Sequence, residues 1–323
     1  MRIRHTAASA VPSAIRRPPS ALACRPLLKW AGGKRQLLPQ LRRFYPTDFT
    51  RYIEPFFGSG AVFFDLHAAG LLRDRDVLLI DSNPDLIGCY ETVQARPHEV
   101  ADELERLAAA HSQGGQAHYY SVRDEQFNPI RAHLRAADGG IAYTPALAAM
   151  LIYLNRTGFN GLFRVNTRGV FNVPAGRYER PRIADREKLL RVAAALSAPG
   201  VRLLRGSYEM TREVAGPDDF IYCDPPYAPL TATANFTAYT AACFSAADQR
   251  RLQQMLIALS ARGCQLLISN SSADQIVRLY DEDVEAQRAG LKVFRLWARR
   301  AVNSRPEGRG PVVELLITNI APR

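Results

Sequence analysis

Apolar positions along this chain fall into two periods. Dense short runs at 51–54, 77–80, 201–204, 220–223 and 264–270 each stop at a polar, glycine or proline residue, the pattern of strands ending in loops. Residues 36–41, 61–66, 100–110, 146–154 and 246–261 instead repeat apolar side chains at helical spacing. Two further runs, 292–298 and 312–319, predict a closing hairpin joined through 299–309. Strands alternating with helices argue for an α/β fold.

The run Phe220-Ile221-Tyr222-Cys223 ends at Asp224-Pro225-Pro226-Tyr227. Proline cannot continue a ladder and fixes its own φ, so a rigid loop is expected at the strand's carboxyl edge. It offers a carboxylate, the Pro225 carbonyl (Pro226 brings no competing amide donor) and the flat face of Tyr227. Two acceptors beside an aromatic face suit a planar amino group, which predicts as target an exocyclic amine on a heterocycle, or an amide. The same four residues also suit a plain Pro-Pro turn capped by an acid. The remainder of the chain decides between the two.

Strand 51–54 leads through Pro55-Phe56-Phe57-Gly58-Ser59-Gly60 into helix 61–66. Strand, glycine-rich turn, helix is the first unit of a nucleotide-binding sheet, where small residues admit a ligand at the helix N-terminus. The second strand ends in Asp81, and an acid at that tip commonly binds ribose hydroxyls. A dinucleotide and S-adenosylmethionine both fit. Ahead of this unit lies Lys29-Trp30-Ala31-Gly32-Gly33-Lys34. It is no phosphate loop, because Arg35 stands where Ser or Thr would ligate magnesium and no upstream glycine has the right spacing. Gly32-Gly33 instead lets backbone approach a ligand closely, with Trp30 and Lys34 on either side.

Charge adds a partner to this picture. A formal net charge of +11 and a pI near 9.7 suggest a polyanion. Only four of the 42 basic residues are lysines, which fits guanidinium contacts to phosphate and equally fits genome base composition. From 156 to 182 six arginines face a single acid, Glu179, and alternate with Phe159, Phe163, Phe171 and Tyr178. That interleaving, with a hairpin expected around 167–169, suits contacts to phosphates and bases, although a solvated basic surface has the same composition. The connection 299–309, with Arg299, Arg300, Arg305 and Arg309 against Glu307, is a second candidate. Residues 1–26 hold five arginines and no acid, too little apolar material to order, so a disordered tail is expected; a transit peptide has similar composition. The five scattered cysteines predict neither a zinc site nor a disulfide framework and fit a reducing cytoplasm. No apolar run nears the roughly 18 residues needed to span a bilayer, so a soluble protein is expected.

In the chain's order, Lys29 to Lys34, Glu54-Pro55-Phe56 with Gly58 and Gly60, Asp81-Ser82-Asn83, Leu154-Asn155-Arg156 through Pro174-Ala175-Gly176-Arg177-Tyr178, Asp224 to Leu230 with Ala234-Asn235-Phe236, and Val313-Glu314-Leu315-Leu316 resemble the GATC-methylating N6-adenine DNA methyltransferases, the DNA adenine methylase or D12 class. The resemblance covers about residues 27–320. It implies a doubly wound, mostly parallel, Rossmann-like sheet of seven strands, one of them antiparallel, in a catalytic domain formed by 27–90 and 200–323, with a target-recognition insertion at 91–199. It implies an adenine-specific, site-specific DNA methyltransferase that takes methyl from S-adenosylmethionine, acts on a flipped adenine of 5′-GATC in double-stranded DNA, and works without metal as a cytoplasmic monomer. By position, Trp30, Lys34, Phe56, Gly58, Gly60, Asp81 and Asp224 border the cofactor. Asp224, Pro225, Pro226 and Tyr227 hold the adenine. Lys29, Arg156, Phe159, Asn160, Leu162, Arg164, Asn166, Arg168 and Pro174 meet DNA. Two other readings remain: a methyltransferase for a protein glutamine amide, which typically shows Asn at the Asp224 position, and a DNA-binding homologue without activity. Cytosine C5 methylation needs a cysteine nucleophile, usually after proline, and no Pro-Cys occurs.

Overall fold

A computed structural model describes residues 24–30, 32–228, 244–299 and 311–323. The expectations for the basic tail before Cys24, for Leu230 and Ala234-Asn235-Phe236, and for the arginines at 300–309 lie outside the described residues.

Seven strands form one sheet: β1 Arg51–Glu54, β2 Asp76–Asp81, β3 Val201–Arg205, β4 Phe220–Cys223, β5 Gln265–Ser271, β6 Lys292–Arg299 and β7 Pro311–Thr318. Their order is β3-β2-β1-β4-β5-β7-β6. The first five are mutually parallel, and β7 runs antiparallel to both neighbours, so the sheet has the single reversed strand expected. The predicted closing hairpin is thus β6 and β7 at one edge. Strand order reverses between β1 and β4, where Tyr52 pairs with Phe220 and Ile53 with Ile221. In an open α/β sheet ligands bind in the crevice outside the carboxyl ends at such a reversal. Here that point brings together the loops after Glu54 and after Cys223.

Period-two alternation along the strands feeds two cores. Tyr52, Tyr222, Leu267 and Leu316 join the core beneath helices Ala61–Ala68, Pro84–Ala95, Pro145–Thr157 and Arg186–Leu196. Ile53, Ile221, Ile268 and Ile317 join the one beneath Ala246–Ala261 and Asp274–Tyr280. All four residues of β4 are buried, which explains the unbroken apolar run in its sequence. Helix Pro84–Ala95 starts where Asn83 Oδ1 accepts from the amides of Asp85 and Leu86, with proline at the first position; helix Ala246–Ala261 starts with a Ser245/Asp248 capping box.

Between β2 and β3 the chain adds helix Pro97–Tyr120 and helix Pro145–Thr157. The latter is buried on nearly every side and packs on both Pro84–Ala95 and Pro97–Tyr120. An ion pair fastens this region to helix Pro84–Ala95: Arg131 Nε and Nη2 donate to Asp85 at 2.6 and 2.7 Å, and Tyr143 Oη donates to the same carboxylate at 2.8 Å. Arg131 Nη1 also donates to the Gly169 carbonyl.

The hairpin expected near 167–169 is less than a ladder. Val165 and Phe171 form one isolated bridge, and the turn is built by Asn166, whose Oδ1 accepts from the amides of Arg168 and Val170 at 3.0 Å each. Two cross-strand backbone bonds, Asn166 amide to Val170 carbonyl at 2.9 Å and Asn172 amide to Arg164 carbonyl at 3.2 Å, complete a short hairpin whose turn the Asn166 side chain braces.

Candidate active site

Three loops meet at the crevice between β1 and β4. In the first, Gly32 (φ 77°) reverses the chain and the Gly33 amide donates to the Trp30 carbonyl at 3.1 Å. The following turn, Lys34–Gln36, buries Lys34 to 4 % exposure. Its Nζ donates to the Gly32 carbonyl at 2.6 Å, meets Asp224 Oδ1 at 2.7 Å and lies 4.5 Å from the centre of the Tyr227 ring. One ammonium therefore ties the Gly-Gly-Lys turn to two members of the Asp-Pro-Pro-Tyr loop.

In the second loop Gly58 and Gly60 hold φ of 50° and 72°. A Cβ on Gly60 would stand 2.4 Å from the Phe57 ring, so glycine is required there on both counts. Asp81, at the tip of β2, accepts from the Gly58 amide and from the Asn83 amide at 2.9 Å each. Burial pushes its carboxyl up, against those amide donors. The carboxylate retains lone pairs for another donor, so bracing the loop and binding a hydroxyl are compatible. Beside the loop Phe56 stacks on Tyr208 at 5.1 Å and meets Phe244 edge-on at 5.8 Å. Trp30 packs against Gly58 and stacks on Phe163 at 5.6 Å, with 19° between the rings.

The third loop, Asp224 to Ala228, is clamped along its length. The Pro226 carbonyl accepts from Gln249 Nε2 at 2.9 Å, and Gln249 Oε1 accepts from buried Asn270 at 3.1 Å. The Ala228 carbonyl accepts from Ser271 Oγ at 2.9 Å, and Tyr227 Oη donates to Glu314 Oε2 at 2.5 Å. Among the described residues nothing donates to the Pro225 carbonyl. The carbonyls of Pro226 and Ala228 are thus engaged, while that of Pro225, next in the chain to Asp224, keeps its acceptor capacity. Burial pushes the Asp224 carboxyl up to about 6, with Lys34 pulling it down and Glu314 pushing it further up. The side chain keeps 20 % of its surface open, enough for a ligand to reach it. Burial also holds buried Glu54, at the end of β1, well above the usual carboxylate range, although Tyr52 Oη donates to it at 2.7 Å.

Lys29 and the loop after Thr157 converge beside this crevice. Asn155, buried in the last turn of its helix, accepts from the Lys29 amide and donates to the carbonyls of Lys29 and Gly161, each at 2.8 Å. The Lys29 side chain crosses Gly161, where a Cβ would fall 2.5 Å away, and its Nζ lies 4.7 Å from the Tyr178 ring centre. Phe159 is exposed, and Asn160 beside it takes a left-handed φ of 54°. Arg164 is oriented by Asn172, whose Oδ1 accepts from its Nε at 2.8 Å. Leu162 is half-buried and Arg168 is exposed on its turn, while the Pro174 carbonyl accepts from the Phe159 amide. Asn166 contributes its Oδ1 to that turn, as above. Arg156 departs from expectation: its Nη2 donates to the Leu27 carbonyl at 2.6 Å and its Nε is buried, so it anchors the N-terminal segment and is not set out for phosphate. A separate cavity of about 640 Å³, lined in part by His111, Tyr119, Tyr178 and Arg182, includes none of the residues around Asp224.

Asn155→Ala is expected to lower stability by roughly 2–4 kcal/mol, because three paired backbone groups lose their partner at about 1 kcal/mol or more each. Urea denaturation of the variant measures it. The motifs quoted for the resemblance include Asn155 and Glu314, but sequence reasoning gave no role to either, nor to Gln249, Asn270 or Asn172. For Glu314 the signal is a lone acid inside an apolar run, between Val313 and Leu315; Asn155, at the end of the run 147–154 and followed by Arg156 and Thr157, carries no such mark.

Among the described residues no helix is long and apolar enough to cross a membrane, and no cluster of three or more His, Cys, Asp or Glu could hold a metal ion. Residues 30–300 match the D12 class N6 adenine-specific DNA methyltransferases. The chain is 36 % identical over 306 residues to the Type II methyltransferase M.MjaIII of Methanocaldococcus jannaschii, covering 91 % of this chain and 99 % of that one. It is 36 % identical over 292 residues to the DNA adenine methylase of Escherichia coli K12, covering 90 % and 94 %, and 33 % identical over 300 residues to the Type II methyltransferase M1.LlaDCHI of Lactococcus lactis, covering 91 % and 95 %. Likeness sustained over nine-tenths of the chain, in a sheet whose strand reversal falls beside Asp224, places this protein in the D12 class: it is an adenine-specific DNA methyltransferase.

Proposed function

We propose that the protein transfers methyl from S-adenosylmethionine to N6 of an adenine extruded from double-stranded DNA, within 5′-GATC. The observation that carries this reading is the pair of acceptors at the third loop, the Asp224 carboxylate and the Pro225 carbonyl, which has no donor among the described residues, with a Tyr227 ring held by Lys34 and Glu314. Adenine's N6 lone pair is delocalised into its ring. Two accepted hydrogen bonds draw the nitrogen toward a pyramidal geometry and aim its lone pair, while Tyr227 stacks on the base.

The left-handed glycines at 58 and 60, the Asp81 carboxylate at the second strand's tip and the Phe56–Tyr208 stack form a cradle of the kind an adenosine moiety needs: close backbone approach, a ribose acceptor and an aromatic wall. When bound there, S-adenosylmethionine supplies an electrophilic sulfonium methyl. Lys34 keeps Asp224 ionised and so keeps the acceptor competent. Asp224 then takes hydrogen-bond density from the amine as positive charge develops on the nitrogen.

The DNA assignment draws on the exposed Phe159 beside left-handed Asn160, suited to a wedge at an opened base step, and on Lys29, which crosses Gly161, with Arg164 and Arg168 further along the same segment. Leu162 and Pro174 suit a thymine methyl, and Arg164 and Lys29 suit guanine O6 and N7. Similarity to proteins named DNA adenine methylase supports adenine in DNA as the target, and the motifs quoted above, which resemble those of GATC-methylating enzymes, support GATC as the site. The test is transfer of labelled methyl to duplexes carrying GATC or a one-base variant. Arg164→Ala is expected to relax discrimination by roughly 5- to 150-fold, the worth of one guanine contact. Equal loss at all sites would reduce Arg164 to a phosphate contact, and wild-type preference for another sequence would overturn the GATC assignment.

A further inference from the structure

We propose that Glu314, on β7, is a positioning residue for methyl transfer: through the Tyr227 hydroxyl it fixes the plane of the ring that faces the reacting amine. The inference rests on the reading of the Asp224 loop given above.

Its basis is geometric. A tyrosine ring has two soft torsions, and in this loop each end is restrained by a different element. Lys34 Nζ sits over the face of the ring at 4.5 Å, which limits its movement along the normal. Glu314 accepts from the hydroxyl at 2.5 Å, which limits its swing. In the sheet Glu314 lies directly opposite Ser271 of β5, whose hydroxyl holds the Ala228 carbonyl at 2.9 Å. Two adjacent sheet residues thus grip successive positions of the loop, Tyr227 by its side chain and Ala228 by its backbone. Rigid strands locate a reacting group more closely than a loop can by itself.

Glu314 is also out of place as a sheet residue. Val313, Leu315, Leu316 and Ile317 around it are apolar, and an acid in such a strand carries a desolvation cost that an apolar residue would avoid. Its charge raises the proton affinity of Asp224, against the effect of Lys34. The two neighbours of the Asp224 loop therefore act on that carboxyl with opposite signs, and this gives the test a direction. Among the described residues the other titratable groups near Asp224 and Tyr227 are Tyr222 and Cys223 on β4 and Glu54 at the end of β1.

The experiment compares wild type, Glu314→Gln, Glu314→Ala, Tyr227→Phe and the Tyr227→Phe/Glu314→Ala double variant in single-turnover methyl transfer to duplex DNA. Glutamine still accepts the tyrosine hydroxyl, so Glu314→Gln is expected to stay within about tenfold of wild type. Glu314→Ala is expected to lose roughly 10- to 100-fold in kcat, as for a lost hydrogen bond to a charged acceptor, with little change in KM for DNA. In the double variant the loss should not exceed that of the larger single change, because both substitutions cut the same bond. Removal of the Glu314 charge should also move the acid limb of the pH–rate profile to lower pH. Carbon-13 NMR of labelled aspartate in the protein without cofactor or DNA should show the same downward shift for Asp224. Should the alanine variant unfold, the glutamine and phenylalanine variants carry the comparison. Wild-type kcat in Glu314→Ala, losses that multiply in the double variant, or an unmoved Asp224 titration overturns the inference. Failure of wild type to methylate adenine overturns the underlying reading instead.

Discussion

Asp224→Ala is expected to reduce methyl transfer by about 10³-fold or more while leaving DNA affinity near wild type. On the proposed reading the carboxylate is one of the two acceptors for the amine, and that bond would strengthen as charge develops on nitrogen, so its loss would fall on the transition state. The effect on the fold should be smaller. Lys34 loses its counter-ion but keeps the Gly32 carbonyl, and the Gln249 and Ser271 clamps do not involve Asp224. Asp224→Asn restores an acceptor oxygen without the charge and should fall between alanine and wild type. Single-turnover transfer alongside fluorescence anisotropy with labelled GATC duplex separates the two effects. Turnover near wild type in the alanine variant would refute the site, and loss of DNA binding in step with transfer would make Asp224 a structural residue.

The second large effect is expected at Lys34. Lys34→Met keeps the buried stem and removes the ammonium that Asp224, Tyr227 and the Gly32 carbonyl share. With the Asp224 carboxyl at about 6 in the native protein, the ionised fraction declines as pH drops below that value, and transfer should show an acid limb there. Lys34 lowers this value, so its removal raises it, and the limb should move to higher pH, the opposite of the shift expected for Glu314→Gln. Near neutral pH the variant should lose transfer roughly 100-fold, from misplaced acceptor and partial protonation together. Stability should fall toward the low end of the ~3–5 kcal/mol seen when one partner of a buried pair is deleted, since Asp224 remains partly open to water. A pH–rate profile whose acid limb does not move would separate Lys34 from the ionisation of Asp224.

The catalytic half of the molecule was readable because its signals are local. The β4 run is apolar because both its faces are buried, and the loop stops it at a proline. The glycines at 58 and 60 are dictated by their own φ, and helix Ala246–Ala261 is marked by its Ser245 cap. What stayed hidden depends on tertiary contact. Nothing local to Arg156 says that it will turn inward to the Leu27 carbonyl, and Asn166 looks like a base reader until its own turn takes its oxygen. The helical stretch expected at 100–110 continues to Tyr120, but as two helical segments meeting at a kink at Gly115, whose φ of 49° and ψ of −127° are non-helical. Glu314 and Gln249 reach the catalytic loop from residues 87 and 23 positions away, a separation over which periodicity says nothing.

Residues 27–30 are held almost wholly by the region inserted between β2 and β3. Asn155 grips the backbone of Lys29, Arg156 holds Leu27, and Phe163 stacks on Trp30, which in turn rests on Gly58 of the glycine loop. The insertion is therefore no interchangeable cassette. Exchanging residues 145–178 for those of a relative with another recognition sequence would leave Lys29 and Trp30 matched to a surface no longer present, and the mismatch would propagate directly to Gly58. A chimera designed to change sequence preference should carry 27–34 along with the insertion, and in natural lineages these two segments should drift as a pair although more than a hundred residues separate them.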